Sequence, residues 1–434
     1  MNERVRVRLS IVVWMMVAAA VVACVIYVGG QRVVPPASDG AVPVAADTTG
    51  SSMLAHATPE EVGMDGGRLA RIETIVERYI ELGLMPGAVV GVMRHDKVAY
   101  LRAFGNREVV DSVVPMTLDT HFDLASLTKP VATATAVMQL VERGELRLND
   151  KVERYIPDFG GWVDEEDVRD TTHIRLLELL THTSGLPAYV SPKHLGKLYA
   201  DTCLSARAAL IDYIAHVERV AKPRTECVYS CLNFITLAEI VSRVAERPFE
   251  EYVAVEIFEP LGMHNTRFLP DTDYAACSAP TTPNSEGVML RGVVHDPLAR
   301  EVMGGVSGNA GLFSTVDDML IFARMMLNEG HWGDAEILSQ RAVEALFLEP
   351  RGFEEWDRTI GWESFKGYSG SAGDLLSPAA IGHTGATGTS LIIDPELDIA
   401  IVILTNKVHR TCSAEHIVEL RSRVANVVGA SIVE

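Results

Sequence analysis

Two predicted β-hairpins, one near each end of the chain, restrict the folds that this sequence can adopt. Residues 87–106, GAVVGVMRHDKVAYLRAFGN, read as two strands around a tight turn at residues 95–96. Residues 389–406, TSLIIDPELDIAIVILTN, repeat this pattern around a turn at residues 394–397. Helical periodicity dominates the long segment between the hairpins, most clearly at residues 127–143, 174–181, 205–218 and 233–246.

Strands from both ends of a chain, with helices between them, indicate an α+β fold. We expect one domain over residues 59–430, with an antiparallel sheet built from the N- and C-terminal segments and flanked by helices. A mainly helical domain is expected as an insertion at about residues 127–290. A last helix is predicted over residues 413–428, SAEHIVELRSRVANVV.

Residues 1–30 are predicted to form a membrane anchor or signal segment. Three arginines, Arg4, Arg6 and Arg8, precede an uncharged apolar run from Ile11 to Val28, which approaches the length needed to cross a bilayer. Arginines on this side of the run place the N-terminus in the cytoplasm and the rest of the protein outside it. The protein is therefore expected to be membrane-tethered and extracytoplasmic.

An alternative interpretation concerns Cys24. The stretch VVAC, residues 21–24, resembles a bacterial lipoprotein cleavage box, in which Cys24 becomes a lipidated N-terminus. The apolar run continues past Cys24 and favours an uncleaved anchor. Residues 31–58 are rich in Gly, Pro, Ala and Ser and are predicted to be a flexible linker in either case.

Charge and motif content exclude several functions. The formal net charge is −20, which repels a phosphate backbone, so a nucleic-acid partner is not expected. The sequence contains neither a CxxC nor an HExxH motif, so neither a metal site nor a cofactor is predicted. The expected partners are a small-molecule or peptide substrate and, through the N-terminal segment, a membrane.

Ser126 and Lys129 form the one SxxK motif of the sequence, at the head of a long apolar helix. A serine in a first helical turn lies near unpaired N–H groups, and a lysine three residues later shares its face. Burial among apolar neighbours is expected to lower the lysine pKa, so that a neutral Lys129 accepts the serine proton. The alternative is an ordinary helix cap followed by a surface lysine.

Two further stretches carry candidate functional residues. In VYSCLNF, Tyr229 precedes a predicted helix, where a phenol can transfer a proton; a core tyrosine is the alternative. In GHTGATGTS, residues His383, Thr384, Gly385 and Ala386 lead into a strand whose edge can supply a backbone N–H to an oxyanion. The alternative there is a glycine-rich turn.

The order of these motifs resembles the penicillin-recognising serine hydrolases. SxxK, then a tyrosine motif, then His-Thr-Gly before a strand is similar to the branch of class C β-lactamases and DD-peptidases, which also holds esterases and amide hydrolases. The resemblance covers about residues 58–430. It extends to LLTHTSGLP at 179–187, EPLGMHNTRFLP at 259–270, GNAGLFSTVDDMLIFARMML at 308–327 and LTNKVH at 404–409.

This resemblance implies a β-lactamase/transpeptidase-like fold and specific residue roles. It implies Ser126 as the nucleophile, Lys129 as its base and Tyr229 as a proton relay. It places His383 beside the substrate and makes the backbone N–H groups of Ser126 and Ala386 the oxyanion hole.

Two positions depart from the pattern of the family. Cys231 stands where the tyrosine motif usually has Asn or Asp, and this removes an amide that would bridge the lysine and the substrate. His383 stands where β-lactamases of this branch carry a lysine. Histidine is mostly neutral near pH 7, so a preference for carboxylate-bearing substrates is expected to grow as the pH falls through ~6.5.

The sequence therefore predicts a serine hydrolase that acts through an acyl-enzyme on a peptide, amide or ester carbonyl, with a cell-wall peptide as the expected substrate. A true β-lactamase is the alternative among enzymes. A catalytically weak binding or sensor protein of the envelope is the alternative of another class, suggested by Cys231.

Overall fold

The computed structural model describes residues 54–163, 171–366, 370–409 and 413–433. The predicted anchor and almost all of the predicted linker lie outside these residues. Within the described part of the chain, no helix is both long and apolar enough to cross a membrane.

The predicted hairpins form the centre of a single sheet. Its strands within the described residues are numbered in chain order: β1 Ala55–His56, β2 Gly87–Arg94, β3 Lys97–Glu108, β4 Val114–Pro115, β5 Glu363–Ser364, β6 Ile381–Thr384, β7 Ser390–Asp394 and β8 Ile399–Thr405. The spatial order is β1-β3-β2-β8-β7-β6-β5, with β4 beside β3. The antiparallel pairing of β2 with β8 joins the two ends of the chain.

Both hairpins turn where the sequence predicts. His95 and Asp96 have φ angles of 49° and 64°, and two successive positive φ angles match the twist of a two-residue hairpin. The second turn follows Asp394, whose Oδ1 accepts hydrogen bonds from the N–H groups of Glu396 and Leu397. The sheet is antiparallel except for β1, which pairs in parallel with β3.

The α-helices of the described residues are numbered in the same way: α1 Gly66–Leu69, α2 Arg71–Glu81, α3 Thr135–Glu142, α4 Leu176–Leu180, α5 Pro192–Leu198, α6 Ala206–His216, α7 Cys231–Val244, α8 Phe249–Val253, α9 Glu259–Leu261, α10 Thr272–Ala276, α11 Val316–Leu327, α12 Gln340–Phe347 and α13 Ala414–Ser431. Short strand pairs join Phe122–Asp123 to Phe313–Ser314, Trp162–Val163 to Thr171–Thr172, and His331–Trp332 to Ala335–Glu336.

The sheet is covered on both faces, and β2 is buried along its whole length. Alternate residues of a strand point to opposite faces. Val89 and Met93 accordingly belong to the cluster that contains the helices of the middle segment. Val90 and Val92 belong to a second cluster, shared with α2 and α13.

Close packing at Gly91 shows how tightly α11 lies against β2. A Cβ atom at Gly91 would come within 2.6 Å of Val316 and 2.9 Å of Leu320. This contact holds α11 on the sheet face that also carries the site described below.

The α+β prediction is confirmed. The helices predicted in the middle segment are present, with ends displaced by a few residues. One continuous apolar cluster joins these helices to the sheet, for example through Phe234 and Leu391. The boundary of a separate helical domain at about residues 127–290 therefore stays a prediction.

Candidate active site

Ser126 follows a strained residue. Ala125 has a φ of 47°, a conformation that residues with a Cβ atom rarely adopt. Its N–H donates to Asp123 Oδ1 at 2.8 Å, and the N–H of His295 donates to Asp123 Oδ2 at 2.7 Å. Complete burial raises the pKa of Asp123 to about 6. A turn held in this way by a buried carboxyl is typical of a functional site.

The helix after Ser126 changes its pitch along its length. It begins as a 3₁₀ turn over Ala125–Leu127, continues as a π-helix over Lys129–Ala134 and becomes α3. π-helical turns within helices are frequent at functional sites. Ser126 itself is half-buried, whereas Lys129 is completely buried.

Lys129 connects the candidate residues of three segments. Its Nζ donates to Ser126 Oγ at 3.0 Å and to the carbonyl oxygen of Asn309 at 3.1 Å. Nζ also lies 3.7 Å from Cys231 Sγ, on the first residue of α7. A surface lysine after a helix cap is therefore the wrong interpretation, because this ammonium group lies inside the protein beside the serine hydroxyl.

The expected pKa shift of Lys129 is wrong in sign. Burial does lower the pKa, as expected, but the electrostatic interactions of Lys129 with Cys231 and Tyr229 favour the ammonium form. Together with a hydrogen bond to Tyr229 they hold the pKa of Lys129 above its ordinary value. The direction of the shift favours a buried ammonium group over the expected neutral amine.

Tyr229 lies at the surface of this cluster rather than in the core. Its side chain is 37% exposed, which contradicts the alternative of a core tyrosine. Lys129 Nζ lies 4.8 Å from the centre of its ring. The ring of His182 packs on it at a centroid distance of 4.4 Å, and the Arg358 guanidinium lies 5.7 Å from the ring centre.

His182 supports Tyr229 as a neutral imidazole. Its Nδ1 accepts from the N–H of Ser230 at 3.0 Å and faces the Asn233 side-chain nitrogen at 3.2 Å. Burial, and the nearby positive charges of Arg358 and Lys129, hold the pKa of His182 well below its usual range. The structure thus places this histidine beneath the site, where it positions the segment that contains Tyr229.

The loop after β6 is fastened to the segment that precedes Ser126. Thr387 Oγ1 donates to the carbonyl oxygen of Asp123 at 2.7 Å, and Thr389 Oγ1 donates to that of Leu124 at 2.9 Å. A Cβ atom at Gly385 would come within 2.4 Å of the Leu124 oxygen. Only glycine permits this approach, and Ala386, the next residue of the loop, is exposed.

His383 is buried and neutral. Its Nδ1 bonds to the carbonyl oxygen of Thr384 at 3.0 Å, and its ring lies 6.1 Å from that of Tyr229. Burial and the charges of Lys129 and Arg358 hold the pKa of His383 well below its usual range. The expectation that His383 gains a positive charge near pH ~6.5 is therefore wrong.

Two residues near the site have no role that the sequence motifs predict. Asn309 contributes only a backbone oxygen, which the sequence GNAG does not single out. Arg358 approaches Tyr229 from a hairpin distant in sequence. Within the described residues, no group of three or more His, Cys, Asp or Glu residues has the arrangement of a metal site.

Comparison with known proteins identifies relatives over most of the chain. A family model described as Beta-lactamase matches residues 72–424. The chain is 31% identical over 382 residues to a Salmonella gallinarum protein that carries the name of a D-alanyl-D-alanine carboxypeptidase; the match covers 82% of this chain and 87% of that protein. It is 32% identical over 367 residues to the N-acetylmuramyl-L-alanine amidase of Bacillus subtilis, covering 79% and 81%.

Solved structures with the same fold include several hydrolases. EstCE1, a hydrolase with promiscuous acyltransferase activity, superposes with a TM-score of 0.67 at 22% identity and covers 84% of this chain and 99% of its own. A class C β-lactamase gives a TM-score of 0.64 at 19% identity, covering 85% and 97%. At these identities the likeness establishes the fold alone.

Proposed function

Since the chain belongs to the β-lactamase family and is a serine hydrolase, we propose that it cleaves an amide or ester bond of a cell-wall peptide through an acyl-enzyme on Ser126. The observation that carries the proposal is the 3.0 Å contact between Ser126 Oγ and the buried Lys129 Nζ. The names of the relatives, a carboxypeptidase and an amidase, support an amide carbonyl as the target.

In the proposed acylation, Ser126 Oγ attacks the carbonyl carbon of the substrate and its proton passes to the Lys129–Tyr229 pair. The pair is proposed to react in the form that has lost one proton, and the positive charge of Lys129 stabilises negative charge on the Tyr229 oxygen as the serine proton is accepted. Tyr229 then protonates the leaving group. Water then attacks the ester formed on Ser126 and gives a proton to the same pair, and this proton passes to Ser126 Oγ as the acyl–oxygen bond breaks.

The oxyanion of the tetrahedral intermediate is proposed to bind the N–H groups of Ser126 and Ala386. Support comes from the hydrogen bonds of Thr387 and Thr389, which hold the loop of Ala386 against the segment of Ser126. Two backbone donors fixed in this way stabilise charge without reorganisation during the reaction. Thr384 and Gly385 complete the proposed substrate edge, and Cys231 borders it from α7.

A dedicated β-lactamase and a catalytically weak binding or sensor protein of the envelope remain the competing proposals. The neutral His383 counts against the first, because the site lacks a cationic residue at that strand position. The contacts of Lys129 with both Ser126 and Tyr229 count against a binding or sensor protein, because they assemble the three proposed catalytic side chains. We also propose that residues 1–30 tether the enzyme outside the cytoplasm, in keeping with a substrate in the cell wall.

The experiment that tests this function is covalent labelling. A fluorophosphonate should add to wild-type protein at Ser126, whereas Ser126→Ala should lose both the label and roughly 10⁴-fold or more of kcat. Ser285→Ala, at an exposed loop serine, is the matched control and should behave as wild type. Persistence of the label in Ser126→Ala would refute the assignment. Parallel treatment with a penicillin tests the β-lactamase alternative.

A further inference from the structure

Asp123 joins the turn that carries Ser126 to a segment that is distant in sequence. Its side chain is buried, and its two carboxyl oxygens accept hydrogen bonds from the N–H groups of Ala125 and His295, at 2.8 Å and 2.7 Å. His295 lies 172 residues further along the chain. One side chain thus contacts both the residue before Ser126 and the segment that contains His295.

The conformation of Ala125 depends on this contact. The backbone before it is fixed in other ways, because Asp123 pairs with Phe313 and the N–H of Leu124 donates to the Leu312 carbonyl at 2.9 Å. Ala125 itself has a φ of 47°, where a Cβ atom is unfavourable and a glycine is not. The Asp123 carboxyl holds the N–H group of this strained residue, and the next residue in the turn is the nucleophile.

The ionised form of Asp123 fits its surroundings better than the protonated form. Both carboxyl oxygens face N–H donors, and an ionised carboxylate accepts at both oxygens. Protonation places an O–H donor on one oxygen, so one of the two N–H groups loses its best acceptor. Burial raises the pKa of Asp123 to about 6, although the two hydrogen bonds oppose this shift. The change of form therefore falls in the mildly acidic range.

Charged groups near Asp123 come from the segment that contains His295. Burial lowers the pKa of His295 itself, which favours its neutral ring. Asp296 and Arg300 shift the pKa of Asp123 in opposite directions, Asp296 upwards and Arg300 downwards. The strand paired with Asp123 and the loop after β6 contribute no titratable side chain to their contacts with it.

We propose that the carboxylate of Asp123 is a positioning group that holds Ser126 in its reactive orientation, and that protonation of this carboxylate slows acylation in mild acid. The inference rests on the proposed function, since it concerns how the nucleophile of the acyl-enzyme is held. Asp123 exchanges no proton with the substrate. It acts through the turn at Ala125, whereas Lys129 and Tyr229 transfer the proton.

Loss of activity through Asp123 differs from acid unfolding. The pKa of Asp123 is higher in the folded protein than in an unfolded chain, where an aspartate has a pKa of ~3.9. The folded state therefore binds this proton more tightly, and the contribution of Asp123 to stability rises as the pH falls from about 6 towards ~4. Protonation of Asp123 is thus expected to lower activity at a pH where it stabilises the fold.

The test follows kcat/KM for an uncharged ester between about pH 8 and about pH 5, so that the substrate does not titrate. Wild type is compared with Asp123→Asn and Asp318→Asn. Asp318 is a matched control because it is a second buried carboxyl whose pKa burial raises to about 6, and it contacts Asn265 and Thr266 instead of the turn. Thermal melting at each pH shows which proteins are folded.

At about pH 8, Asp123→Asn should have a kcat/KM roughly 10- to 100-fold below wild type, mainly through kcat, because a misplaced nucleophile reacts slowly. The two proteins should approach equal kcat/KM as the pH falls through about 6, since wild type loses its carboxylate there. The ratio of wild type to Asp318→Asn should stay constant with pH. A ratio of wild type to Asp123→Asn that does not change with pH would overturn the inference.

Ala125→Gly tests the same inference even if Asp123→Asn does not fold. Glycine adopts a positive φ without support, so this variant should keep a larger fraction of its activity below about pH 6 than wild type does. An equal fall of kcat/KM in Ala125→Gly and wild type would overturn the inference. If a fluorophosphonate does not label Ser126 in wild type, the proposed function itself fails, which is a separate result.

Discussion

At the residue scale, Cys231 and His383 are the two departures from the family pattern. The structure shows how each one changes the polar contacts of the site. Cys231 Sγ takes the place of an amide next to Lys129, at 3.7 Å, where a thiol is a weak hydrogen-bonding group. His383 contributes a neutral ring instead of a charge. Both changes weaken polar contacts at the site without removing the contact between Ser126 and Lys129.

Replacing Cys231 with asparagine should raise kcat/KM by roughly tenfold for an amide substrate. The asparagine oxygen can accept from Lys129, and its nitrogen can donate to the substrate carbonyl, which together amount to about one net hydrogen bond. Steady-state kinetics measure the effect. Cys203→Ser, at an exposed free cysteine, is the control and should leave kcat/KM unchanged. A well-folded Cys231→Asn enzyme that is no faster than wild type contradicts this prediction.

The pH dependence of substrate choice follows from the low pKa of His383. Because the pKa is depressed, the imidazole stays neutral as the pH falls through ~6.5, the value of an unperturbed histidine. The kcat/KM ratio of a carboxylate substrate to its neutral analogue should therefore be flat between pH 8 and about 6. His383→Lys should raise the ratio at pH 7. If the ratio plotted against pH has an inflection near pH ~6.5 in wild type and none in His383→Lys, then His383 does titrate there and the prediction is wrong.

At the element scale, periodic segments could be predicted from the sequence and the short ones could not. The hairpins of β2–β3 and β7–β8 and the helix α13 are long enough for their apolar pattern to define them. The strand β5 has two residues and no pattern of its own, so nothing in the sequence predicts that its hairpin brings Arg358 to the site.

The same limit applies to the electrostatics of the site. The SxxK spacing places Ser126 beside Lys129 because both lie in one helix, which is a local property. The pKa of Lys129 depends also on Cys231, 102 residues away in the chain. A shift whose sign depends on contacts between distant segments requires the folded structure.

The loop after β6 gives a prediction at this scale. Gly385→Ala should reduce kcat/KM strongly and destabilise the protein by about 1–3 kcal/mol, because the new Cβ would lie 2.1 Å from Thr389 Oγ1 and 2.4 Å from the Leu124 oxygen. Gly196→Ala is the control, since its Cβ meets no atom within 4 Å. Steady-state kinetics and thermal melting measure both effects. Equal kcat/KM values and equal melting temperatures in Gly385→Ala and Gly196→Ala would contradict the close approach at Gly385.

At the scale of the whole molecule, the sheet needs both ends of the hydrolase domain. Strand β2 near the N-terminus pairs with β8 near the C-terminus, and helices from both regions share one core. The described fold begins at Leu54, which is buried, and continues into β1. The segment before it lies outside the described residues.

Deleting residues 1–50 should therefore give a folded enzyme with wild-type kcat/KM that no longer fractionates with membranes. Cell fractionation and kinetics of the purified protein test this expectation. Cys24→Ser in the full chain separates the two modes of anchoring, since only a lipoprotein would lose its lipid label. A truncated protein that folds but does not turn over substrate would contradict the assignment of residues 1–50 as a dispensable tether.

The acyl-enzyme on Ser126 can be observed most directly by rapid-quench intact-mass spectrometry during turnover of an ester substrate. We expect a mass increase equal to the acyl group, mapped to the peptide that contains Ser126 and absent from Ser126→Ala. Tyr229→Phe should form or release the adduct more slowly, because its ring cannot transfer a proton. Turnover in wild type with the adduct on another residue, or undiminished turnover by Ser126→Ala, would contradict a mechanism through Ser126.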